Sequence, residues 1–123
     1  MMWEDFQRTL ERNFAEIGNE FMRTALRMWQ KPIRPVARFV RDDEFTADVW
    51  PAGDTVDWDE MAVKGREGPY ATSELLFLSM SAGIALREPF HVVRALDFVT
   101  DEATLEVMWD ALYEIRSGEA WRR

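Results

Sequence analysis

The side chains able to do chemistry in this sequence are almost all carboxylates. It holds 23 Asp and Glu, one histidine and no cysteine. Without cysteine there is no disulfide, thiolate metal site, iron–sulfur cluster or cysteine nucleophile. The lone histidine, His91, excludes a multi-histidine metal site and leaves any Ser–His–Asp arrangement dependent on one position. It follows Pro89-Phe90 in an apolar stretch, where a single imidazole is ordinarily a hydrogen-bonded core group. Ser73, Ser79, Ser81 and Ser117 have no base at a recognisable spacing. No Gly-x-Ser-x-Gly elbow, Gly-x-Gly-x-x-Gly turn or phosphate loop occurs. Nucleophilic catalysis is therefore not expected.

Two groups of carboxylates remain. Residues 42–60 hold eight acids and no base: Asp42, Asp43, Glu44, Asp48, Asp54, Asp57, Asp59 and Glu60. Asp54, Asp57 and Asp59 have the oxygen chemistry for a hard cation, but the calcium-loop pattern fails. Counted from Asp54, Val56 and Trp58 fall where ligands belong, and Asp59 falls where a glycine is needed. Trp50 and Trp58 beside these acids are the elements of a sugar cleft, yet acid and tryptophan in one loop are too common to define glycosidase chemistry. No metal and no cofactor is expected, and a carboxylate-based enzyme ranks third among the functional readings.

The second group is Glu102, Glu106, Asp110 and Glu114, every fourth residue with no base in the row. On a helix each step rises about 6 Å and turns about 40°, giving a gently spiralling acidic ridge. Like charges at this spacing each cost an isolated helix roughly 0.2–0.5 kcal/mol. Glu114 also falls near the helix C-terminus, where acid opposes the dipole. Such a ridge calls for an outside reason. It either pairs with Arg23, Arg27 and Lys31, themselves four apart, or meets a basic surface on another protein.

These groups must be positioned by one domain. The chain has 123 residues, 47% hydrophobic and 31% charged, with a net charge of −8. It has no run of the ~20 apolar residues a membrane span requires. It opens with acid where a secretory signal carries base. A soluble, cytoplasmic protein that neither enters a membrane nor binds nucleic acid directly is expected, since nucleic-acid binders need basic patches.

Trp3, Phe6, Leu10, Phe14, Ile17, Phe21, Ala25 and Met28 are spaced three or four apart, predicting a long amphipathic helix over residues 1–31. Gly18-Asn19 is the place where it can break in two. The stripe serves either as a core face or, over residues 3–28, as a homo-oligomer interface. Residues 33–64 read as an acidic loop with three short antiparallel strands, at 36–40, 45–50 and 55–58. Residues 73–118 read as a helical subdomain of two to three helices. A helix from Glu74 to Arg87, capped by Thr72 or Ser73, is apolar all round and belongs at the centre of the core. Pro89 suits the first turn of a further helix, although residues 90–98 also fit a strand. Thr100 is the expected cap of the last helix and Gly118 its stop. The predicted fold is a mostly helical α+β domain.

The leading functional expectation is a non-catalytic inhibitor that docks on a basic, nucleic-acid-binding or nuclease-type protein by charge mimicry. It uses the ridge, the 42–60 acids, Trp50 and Trp58. The alternative is an assembly subunit oligomerising through its aromatic first helix.

Overall fold

A computed structural model describes residues 1–117, and among them every regular element is helical. The helices are α1 (Trp3–Glu16), α2 (Glu20–Arg27), α3 (Arg34–Val40), α4 (Asp43–Val49), α5 (Trp58–Glu67), α6 (Thr72–Leu86), α7 (Val92–Phe98) and α8 (Glu102–Ser117). A single 3-10 turn spans Pro51–Gly53. Gly118, the expected stop of the last helix, lies outside the described residues.

The expected sheet over 33–64 does not form, and the α+β class is corrected to all-helical among the described residues. The residues that resembled strand boundaries are helix starts. Pro35 sits in the first turn of α3, where its fixed φ fits and its missing N–H is no loss. Asp42 caps α4 by accepting from the Phe45 N–H at 3.1 Å, and Asp57 caps α5 by accepting from the Glu60 N–H at 3.0 Å. Asp43 and Glu44 follow the first cap, Asp59 and Glu60 the second, where acid favours the helix dipole. Much of the acid-only stretch is thus two helix N-termini in succession.

The N-terminal stripe breaks where glycine and asparagine meet. Asn19 caps α2 by accepting from the Phe21 and Met22 N–H groups at 3.0 and 3.1 Å. Arg23 donates back to the Phe14 and Ile17 carbonyls at 2.5 and 2.9 Å, closing the C-terminal turn of α1. Residues 90–98 resolve as a helix, but it begins at Val92, so Pro89 precedes it. Two expected caps are displaced by one residue. α6 starts after Ala71, whose N–H donates to Glu74 at 2.9 Å. The cap of α8 is Asp101, which accepts from the Thr104 N–H and hydroxyl, in place of Thr100.

α6 runs through the middle, packed against α2, α3, α5 and α7. Phe77, Leu78, Met80, Ser81 and Ile84 are buried on several of its sides. Trp29 anchors the core next to it. Its ring centre lies 5.2 Å from those of Trp50 and Phe77, and its indole N–H donates to Ser81 at 2.8 Å. α5 crosses α6 closely, with the Ser79 hydroxyl donating to the Gly65 carbonyl at 3.1 Å. A Cβ at Gly65 would lie 2.9 Å from the Ser79 backbone nitrogen, so only glycine permits this approach. Buried Asn13 holds the 50–56 segment on α1. Its amide donates to the Thr9 and Asp54 carbonyls, while its oxygen accepts from the Trp50 indole and the Val56 N–H.

Candidate functional site

The two acidic groups divide once folded. In the 42–60 stretch, Asp42 is both cap and ion-pair partner, receiving Arg38 at 2.9 Å. The Phe45 N–H holds its carboxyl below the usual range against the opposing effect of burial, and Arg38 assists. Asp48 receives Lys64 at 2.8 Å, with Glu60 at 3.6 Å from the same ammonium. Burial alone would lower the Lys64 pKa, but Asp48, with Glu60 and Tyr70, raises it overall. Asp43 lies 2.6 Å from the amino group of Met1. Glu44, Asp54, Asp57 and Asp59 are exposed. Among the described residues no three carboxylates or histidines converge as a metal-binding group.

Trp50 and Trp58 are corrected from surface to core. They are 1% and 5% exposed, with Trp50 packed edge-on against Trp29 and Phe6, so neither can meet a partner. The aromatic stripe is turned inward toward its two ends. Phe6, Leu10, Ala25 and Met28 are buried within this one chain, while Trp3, Phe14, Ile17 and Phe21 of the same stripe stay partly exposed.

The ridge on α8 divides too. Glu114 pairs internally, accepting from Arg27 and, at 3.0 Å, from the hydroxyl of buried Thr24. The proposed basic row does not match it residue for residue. Arg23 closes α1, while Lys31 lines a cavity of ≈ 240 Å³ between α2 and α8 together with Asp110. Glu102, Glu106 and Asp110 are exposed and form no ion pair among the described residues.

What the sequence reading missed lies among those three acids. Trp109 is 62% and Tyr113 68% exposed. At about 100° per residue, Tyr113 falls on the helix face between Glu102 and Glu106, with Trp109 about 20° to the other side of Glu102. Trp109 also lines a small cleft with Leu96 of α7, itself 53% exposed, so the apolar surface continues from α8 onto α7. The available signal was Trp109 and Tyr113 standing four apart. The buried line of α8 is Thr104, Met108 and Ala111, which leaves Trp109 outside it.

The result is an aromatic centre edged by three carboxylates on a rigid helix. It offers area and negative charge to a partner. Among the described residues no helix is long and apolar enough to cross a membrane. Comparison with protein-family models, with curated proteins and with solved structures finds no match, leaving the α8 geometry to carry the functional reading.

Proposed function

We propose that this chain is a non-catalytic protein-binding domain that docks through α8 on a basic surface of another protein. The observation carrying this reading is the exposure of Trp109 and Tyr113 on the same face as Glu102, Glu106 and Asp110. Aromatic anchors surrounded by polar groups are the usual arrangement of an interface centre. Covering the exposed part of each ring, on the order of 100 Å², contributes about 2–3 kcal/mol before the costs of association. The carboxylates add little affinity in water but steer encounter and select a positive partner. An Arg- or Lys-rich face of the kind that receives a nucleic-acid backbone is the complement, and its arginines can also stack on the two rings. The charge-mimicry reading thereby narrows to α8, since the best-placed 42–60 acids open helices or pair with Arg38 and Lys64.

The test is capture from an extract of the source cells on immobilised wild-type chain and on Trp109→Ala/Glu106→Gln. A basic protein retained by the wild type and lost by the variant, with retention falling as salt rises, supports the reading. Retention indifferent to the variant, or self-association through α8 seen by light scattering, contradicts it.

A further inference from the structure

A second cavity lies apart from the α8 surface. It occupies ≈ 540 Å³ between α5, α6 and the segment leading into α7. That size falls within the roughly 300–1,000 Å³ typical of small-molecule sites. Its apolar wall includes Leu75, Leu76, Met80 and Phe90. Leu75 and Leu76 are notable because the later apolar residues of α6, from Phe77 to Ala85, are buried. Here two leucines near its start remain half-buried and face an open groove. The Gly65–Ser79 contact fixes α5 against α6 at the same groove, so its wall is set by backbone packing.

The polar lining is not neutral, although the chain as a whole is strongly acidic. Arg66 and Arg94 both line the groove, and Glu88 is the one acid among the lining residues. Neither arginine forms an ion pair among the described residues; Arg94 lies 5.5 Å from the ring centre of Phe98. Two guanidiniums against one carboxylate leave one surplus positive charge, which matches a monoanion. The planar guanidinium fork matches a carboxylate through paired N–H donors.

We infer that this groove binds a small amphipathic carboxylate, its apolar body against Leu75, Leu76, Met80 and Phe90 and its anionic end at Arg66 and Arg94. Decanoate, kept below its self-association concentration, is the probe, with decanol as the uncharged equivalent. An NMR titration of the full chain should show saturable shifts centred on Leu75, Leu76 and Met80. Decanoate should bind about ten-fold or more tightly than decanol, an advantage of the size charge-assisted hydrogen bonds supply. Arg66→Gln/Arg94→Gln should abolish that advantage while leaving decanol binding unchanged. The absence of saturable shifts, equal affinity for the two probes, or shifts centred on Trp109 and Tyr113 would each overturn the inference. If the double variant does not fold, the ratio of the two affinities on the native chain still decides.

Discussion

One row of carboxylates on α8 should respond to mutation with opposite signs at its two ends. Glu114 is bound by Arg27 and by the buried Thr24 hydroxyl, and the Glu114 and Arg27 side chains are 29% and 37% exposed. Partial exposure limits the ion pair to about 0.2–1 kcal/mol, and the Thr24 hydrogen bond adds about 1 kcal/mol. Removing an acid from the C-terminal part of a helix returns a few tenths. Glu114→Ala should therefore lose about 1 kcal/mol. Glu106 and Asp110 have no such partner, so Glu106→Gln/Asp110→Asn removes like-charge steps of roughly 0.2–0.5 kcal/mol each. Stability should hold or rise by a few tenths. Urea unfolding followed by the fluorescence of buried Trp29 and Trp50 measures both, and a cycle pairing Glu114→Ala with Arg27→Ala isolates the ion pair. A loss of 1 kcal/mol or more in the Glu106/Asp110 variant would refute the assignment of these carboxylates to an open surface.

Two further outcomes follow from the core and the caps. Ser81→Ala should cost about 1–3 kcal/mol in the same assay, because it leaves the Trp29 indole N–H buried without its acceptor. Asp42→Ala should cost about 1 kcal/mol near neutral pH through loss of the α4 cap. The folded pKa of Asp42 is depressed, so its contribution is complete above the ordinary Asp value of about 4 and disappears as pH falls through the lower folded value. The gap between wild type and Asp42→Ala should accordingly shrink in acid.

The helices most legible in the sequence are those whose apolar pattern is long. α1 and α2 follow the three-and-four spacing, and Asn19 after Gly18 marks their break in residue types that cap helices. α6 reads as central because it is apolar all round. α3 and α4 read as strands because a short run such as Val36–Val40 fits either period. There β-branched and aromatic residues argue for strand, while the packing of Phe39 on Phe45 decides for helix. The charges held the missing signal. Asp57, Asp59 and Glu60 begin α5, and Lys64 and Arg66 end it, an order that complements the dipole from end to end. Reading such acids only as a surface obscured that they start helices. In the candidate site the carboxylates were legible from spacing, whereas the exposure of Trp109 was not. Trp109 and Tyr113 stand four apart, but apolar residues flank them on α8, and only the packed structure shows that Ala95 of α7 is buried while Leu96 and Trp109 stay open.

The central claim is that α8 is the docking face, and site-specific photo-cross-linking tests it most directly. A photoreactive residue placed at Tyr113 is compared with one at Glu44, which is also exposed and acidic but lies on α4. In an extract of the source cells, the Tyr113 position should cross-link one basic protein, the Glu44 position should not, and Trp109→Ala should abolish the product. Equal cross-linking from both positions, or a Tyr113 product indifferent to Trp109→Ala, would contradict the claim.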